Sequence, residues 1–199
     1  MTLAARLRDA LTNSNGSPPP LLGDAIEYAG PDDGLLTPAA VLVAVVDRPE
    51  PGVILTLRAD TMRRHAGQIA FPGGRIDAED SGPVHAALRE AEEEIGLRAA
   101  DVQVVGVADR YRTVTGFDVT PVLGVVPPRL SLTLQPDEVA AVFEAPLRYL
   151  LEPGNRQLKS LHWQGRQHHY YEIYWEDRRI WGATAAMIVN LAHRLASLA

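Results

Sequence analysis

Apolar positions along the chain change their period several times, and each change marks an expected element. Leu3, Leu7, Ala10 and Leu11 stand at helical spacing, which predicts a short N-terminal helix over 3–11. The polar, proline-ended run NSNGSPPP that follows at 13–20 reads as a surface connector. At 39–46 the run AAVLVAVV is apolar without alternation and rich in β-branched residues, the pattern of a strand covered on both faces. Turn residues at 49–52 lead into a second strand at 53–57, and the pair predicts a hairpin. Further strands are expected at 102–107 and 119–126, the latter ended by Pro127 and Pro128. A short helix is expected at 147–151. The segment carrying Tyr170, Ile173 and Trp175 is expected to complete the same sheet, and residues 183–198 predict a final helix with Ile188, Leu191, Ala192 and Leu195 on one face.

One helix differs from the others in what it carries. It is predicted to start near Ser81 or Gly82, with Pro83 in its first turn, and to stop at Gly96. Val84, Ala87, Leu88, Ala91 and Ile95 form a narrow apolar stripe suited to packing on a sheet. Glu90, Glu93 and Glu94 then fall together on a neighbouring face, while Glu92 projects away. Like charges one turn apart cost a helix roughly 0.2–0.5 kcal/mol per pair, so a purely structural helix gains nothing from this crowding. A divalent cation reverses the sign. Carboxylate oxygens suit Mg²⁺ or Mn²⁺, which complete their shells with water and phosphate oxygens. Upstream, Gly73 and Gly74 permit a turn in which backbone can approach the same metal and phosphates.

Composition narrows the field. With 199 residues, 46% of them hydrophobic, one domain with a sizeable core is expected: an N-terminal helix and proline-rich connector over 1–38, a body, and the C-terminal helix. A net charge of −6 without a long basic run argues against a nucleic-acid surface, so anionic substrates must be met locally by residues such as Arg58, Arg63 and Arg64. The absence of cysteine excludes disulfides and thiolate chemistry. No apolar run reaches the ~18–20 residues of a membrane span, and the N-terminus lacks the pattern of a secretory signal. The expectation is a cytoplasmic protein with a small-molecule substrate and no membrane partner.

Arg89, Glu90, Ala91, Glu93, Glu94, Gly96 and Leu97 match, one for one, the second half of the pattern GX5EX7REUXEEXGU, and the chain here resembles the Nudix hydrolase superfamily. The first half departs from it. Gly74 lies one residue too far from Arg89, and the acidic position falls on Asp80 or, in another alignment, Glu79, which leaves the role of Asp80 open. The preceding run ILTLRADTMRRHAGQIAFPGG is similar to LLTXRSX3RX3GX3FPGG, the second signature of the coenzyme A pyrophosphatase branch. Leu55, Thr56, Arg58, Arg63, Gly67, Phe71, Pro72, Gly73 and Gly74 match it, and Ala59 replaces its serine.

The resemblance implies an α/β/α sandwich of the α+β kind, with a mixed sheet and a loop-helix-loop catalytic motif. It implies Mg²⁺ or Mn²⁺ held by Glu90, Glu93, Glu94 and the backbone of Gly74, with Arg89 orienting the carboxylates. The general base is then Glu138 or a glutamate of the helix. Arg58, Arg63, Gly67 and Gly73 are the implied substrate contacts; outside the two signatures, Arg110, Tyr111 and Arg112 of the loop expected at 109–117 are candidates to hold phosphate or stack on a base, with Tyr111 taken as a substrate contact. The implied reaction cleaves coenzyme A to 3′,5′-ADP and 4′-phosphopantetheine; the alternatives are ADP-ribose, NADH or a dinucleoside polyphosphate as substrate, or a nucleotide sensor without turnover.

Overall fold

The computed structural model describes residues 1–13, 21, 23, 36–61, 66–163 and 166–196; the proline-rich run 14–20 and Arg63 lie outside them. The chain begins with α1 (Leu3–Asn13), then forms β1 (Thr37–Val46), β2 (Gly52–Arg58), β3 (Ile69–Ala70) and β4 (Gly73–Arg75). Helix α2 (Pro83–Ile95) leads to β5 (Gln103–Val107), β6 (Tyr111–Arg112), β7 (Phe117–Val126) and β8 (Val139–Pro146). The last part holds α3 (Leu147–Leu151), β9 (Arg156–Trp163), β10 (Arg166–Trp175), β11 (Arg178–Trp181) and α4 (Gly182–Arg194).

The sheet is mixed because its two longest strands, β1 and β7, run parallel in register from Thr37 opposite Phe117 to Val46 opposite Val126, while the other pairings are antiparallel. Alternation assigns the two faces of β1 to two cores. Ala40, Leu42, Ala44 and Val46 pack with Ala87, Ala91 and Ile95 of α2. Ala39, Val43 and Val45 face the other way, toward a core that includes Leu7 and Leu11 of α1 and Ile188 and Leu191 of α4. Helices on both faces of a mixed sheet are the expected sandwich.

The predicted hairpin forms, but over less of β1 than expected, and a second expectation needs correction. The hairpin of β1 and β2 is registered only at Val45 opposite Val53 and Val46 opposite Gly52. At its other end, β1 takes β4 on that side instead, with Ala39, Ala40 and Val41 opposite Arg75, Gly74 and Gly73. Between these pairings the Leu42 N–H donates to the Pro72 carbonyl at 2.8 Å. The flank of β1 is therefore divided between two strands. The Tyr170–Trp175 segment does not complete this sheet either: β9, β10 and β11 form a separate antiparallel sheet of three strands.

Candidate active site

Helix α2 begins with Gly82 as its N-cap and Pro83 in the first turn, and ends at Gly96 in the left-handed conformation at φ 67°. The Gly96 and Leu97 amides return to the Glu92 and Ala91 carbonyls at 2.9 and 3.2 Å, which fixes the helix end and buries Leu97. The buried face of α2 is turned slightly from the predicted stripe. Ala86, Ala87, Ala91 and Ile95 are covered, Val84 and Leu88 sit at the margin, and Glu94 enters the covered face. Alanines opposite Ala40 and Ala44 let the helix backbone come close to the sheet, and this draws Glu94 inward.

Glu94 is only 4% exposed. Its Oε2 accepts from the Gly73 N–H at 3.1 Å, and its Oε1 lies 3.7 Å from Arg58 Nη1. Burial raises its pKa to about 7, against the pull of the Gly73 amide and Arg58, and the charges of Glu90 and Glu138 add to the rise. Glu90 is raised too, first by burial, with Arg89 opposing and Glu93 and Glu138 contributing. Its carboxylate lies against Gly74: a Cβ on Gly74 would meet it at 2.5 Å. Gly73 is as constrained, since at φ 153° a Cβ there would meet the Ala40 carbonyl oxygen at 2.4 Å.

Arg89 ties the acids together. Its Nε and Nη2 donate to both oxygens of Asp80 at 3.1 and 2.9 Å, and Nη1 donates to Glu90 Oε1 and Glu93 Oε2, both at 3.1 Å. Nη2 also reaches the Arg75 carbonyl at 3.1 Å. Asp80 in turn accepts from the Asp77 amide at 2.8 Å and meets His85 Nδ1 at 2.6 Å. The Arg89 guanidinium holds the Asp80 carboxyl far below the usual range. The position left open by the sequence is thus the anchor of Arg89, and the additional residue of the loop falls between Asp80 and the helix without disturbing it.

Glu138 reaches the cluster through the segment before β8. Thr133 and Gln135 amides donate to the Ile95 and Glu94 carbonyls at 3.0 and 2.9 Å, laying this segment along the end of α2. The Glu138 N–H donates to the Gln135 carbonyl at 3.0 Å, and its own carbonyl accepts from Ala59 at 2.9 Å. Its exposed carboxylate is near enough to raise both Glu90 and Glu94. Among the described residues, no three acidic or imidazole groups already converge at metal-cluster spacing. Glu90 and Glu93 each give one oxygen to Arg89, and Glu94 gives one to the Gly73 amide. The donor set nonetheless fits a hard divalent cation: it is all oxygen, anionic, partly desolvated and mutually repulsive.

On the other side of β4 lies a cleft of about 590 Å³, mostly apolar in lining, between the sheet and the start of α4. Its walls include Val41, Phe71, Arg75, Phe117, Val119, Trp181 and Thr184, with Gly73, Gly74 and Arg58 toward the acidic cluster. Arg58 and Gly73 meet both the cleft and Glu94. Gly67 is outside this lining; its left-handed backbone, φ 67°, turns the loop so that its N–H donates to the Arg58 carbonyl at 3.1 Å. Tyr111 is a correction: it is 3% exposed in the α1/α4 core, because the short β6 aims it inward, and it is not a stacking surface for a ligand. The sequence reading missed Arg75, Phe117 and Trp181 as cleft residues. The one signal for Arg75 was a cation directly after the glycine pair.

Residues 36–179 match the NUDIX domain family. The chain is 49% identical to the uncharacterized Nudix hydrolase NudL of Cronobacter sakazakii over 154 residues, 77% of this chain and 80% of that protein. It is 46% identical to NudL of Salmonella paratyphi B over the same shares. Among solved structures, a MutT/nudix family protein from Enterococcus faecalis superposes with a TM-score of 0.50 at 18% identity, over 95% of this chain and 69% of that one, a likeness of fold.

Proposed function

The chain belongs to the Nudix family of hydrolases, and on that footing we propose that it is a divalent-metal-dependent pyrophosphohydrolase acting on coenzyme A or its derivatives. The observation that carries this reading is the adjoining of two environments across one glycine pair. A buried acid, Glu94, and the half-buried Glu90 lie on one side of Gly73 and Gly74, and an arginine-flanked apolar cleft lies on the other.

Glu90, Glu93, Glu94 and the Gly74 backbone would hold Mg²⁺ or Mn²⁺, which would neutralise the diphosphate and lower the pKa of a water. Arg89, anchored by Asp80, holds Glu90 and Glu93 in place. Arg58, between Glu94 and the cleft, faces the diphosphate. Glu138, exposed at the edge of the cluster, takes the proton of the attacking water on its carboxylate, with Glu93 as the other candidate. The coenzyme A assignment rests on the motif that supplies Arg58, Gly67, Phe71, Gly73 and Gly74, and on the apolar cleft that all of these but Gly67 border. Arg63 of the same motif is the sequence candidate for the 3′-phosphate.

Product analysis with Mg²⁺ or Mn²⁺ tests the proposal, comparing coenzyme A, dephospho-coenzyme A, ADP-ribose and NADH at equal concentration. Preferential release of 3′,5′-ADP from coenzyme A is expected. Preference for another compound would discard the substrate assignment and keep the hydrolase, whereas folded protein inactive across the panel would favour a nucleotide sensor.

A further inference from the structure

We infer that Arg75 is a specificity residue, holding an anionic phosphomonoester on the half of the substrate that enters the cleft. The inference rests on the diphosphate reading above and adds which group on the substrate is read, and by which side chain.

Strand geometry separates Arg75 from the acids. Side chains alternate along β4, so Gly74 faces α2 and the Glu90 carboxylate, while Arg75, opposite Ala39 of β1, belongs to the side where Ala39 and Val41 line the cleft. Among the described residues, the cleft lining contains two cations, Arg58 and Arg75, and no carboxylate. They are differently engaged. Arg58 lies beside Glu94, at 3.7 Å. Arg75 makes no ion pair among the described residues; its exposed guanidinium rests over the Phe117 ring, 5.9 Å from the centroid. In a chain of net charge −6, this leaves a cation with no counter-charge among the described residues at the mouth of an apolar cleft.

An exposed guanidinium over a ring is weakly held. A phosphomonoester offers it a charge-assisted, bidentate partner of matching geometry, and the planar fork suits that ligand better than an ammonium. The backbone of β4 lies between Arg75 and the acids, so the group it meets is not the linkage being hydrolysed. It is a second phosphate, displaced toward the cleft. The Arg75 carbonyl, by contrast, serves Arg89 at 3.1 Å, and a side-chain substitution leaves that contact in place.

The test is titration calorimetry with 3′,5′-ADP and 5′-AMP on the wild type, Arg75→Ala, Arg75→Lys and Arg63→Ala, with thermal unfolding to establish that each variant is folded. The wild type is expected to bind the bisphosphate about tenfold or more tightly than AMP. Arg75→Ala is expected to erase that ratio while leaving AMP affinity within about twofold, and Arg75→Lys to keep part of it. With coenzyme A and dephospho-coenzyme A as substrates, the same loss should appear in KM and not in kcat. A wild type that binds both nucleotides equally, or neither, overturns the inference, as does an Arg75→Ala variant that keeps the ratio or weakens both ligands alike. A ratio lost in Arg63→Ala and kept in Arg75→Ala assigns the role to Arg63. Failure of the coenzyme A reading is seen separately, in the wild-type turnover panel.

Discussion

Replacing Glu94 with glutamine removes a carboxylate whose charge the fold resists, since the group is only 4% exposed. Burial, helped by Glu90 and Glu138, carries its pKa from an ordinary 4.5 to about 7 despite the Gly73 amide and Arg58. Each decade of displaced proton affinity is worth about 1.36 kcal/mol, so ionised Glu94 disfavours the native state by about 3 kcal/mol. Because the folded pKa is the higher one, the native state retains the proton; the stabilisation is fully present below the ordinary value and is lost as pH rises through about 7. Glutamine keeps an acceptor for the Gly73 amide and cannot ionise. With a chelator present, Glu94→Gln should exceed the wild type by about 3 kcal/mol near pH 8, and by less than about 1 kcal/mol near pH 5. For a domain of this size that is roughly 6–12 °C in Tm at the higher pH. Thermal and urea unfolding at the two pH values measure it. Adding Mg²⁺ near pH 8 should raise the Tm of the wild type more than that of the variant. A variant no more stable than wild type near pH 8, or one with the same gain at both pH values, would refute the account of Glu94 as a buried, destabilising charge.

The remaining predictions concern the frame around that acid. Gly74→Ala sets a Cβ 2.5 Å from the Glu90 carboxylate, which must swing away; kcat should fall about 100-fold, the scale for a reacting group misplaced by an ångström, while the protein stays folded. Asp80→Asn removes the charge that holds the Arg89 fork, and a loss of about 10–100-fold in kcat with little change in KM is expected from steady-state assays. Undiminished turnover in Asp80→Asn would mean that Glu90, Glu93 and the Arg75 carbonyl suffice to position Arg89.

What the sequence carried clearly was local. The proline and glycine that bound α2 and the spacing of Glu90, Glu93 and Glu94 depend on neighbours within a few residues, and the helix forms where those signals place it. The long apolar runs of β1 and β7 were equally legible, because a strand covered on both faces needs no alternation. Pairing was not. Nothing in residues 39–57 announces that β1 leaves β2 after two registered pairs and takes β4 instead, since that choice depends on the Gly-Gly turn approaching from farther along the chain. Tyr111 misled for a related reason: on a strand of two residues, either face is available, and only the packing of α1 and α4 decides which one is inward. The cleft was hidden because Phe117 and Trp181 are distant from the glycine pair in sequence.

The divided flank of β1 bears on how such a chain can diverge. The carboxylates of α2 and the cleft belong to opposite faces of one sheet, packed against separate cores and joined where β4 contributes two glycines and where Arg58 of β2 meets both Glu94 and the cleft. Substitutions on β7, β11 or the start of α4 can therefore reshape what the cleft admits without altering the proton affinities of Glu90 and Glu94. Selection can act on the choice of molecule and on the chemistry of its cleavage as nearly independent traits, with Arg58, Gly73 and Gly74 the positions that neither can change alone.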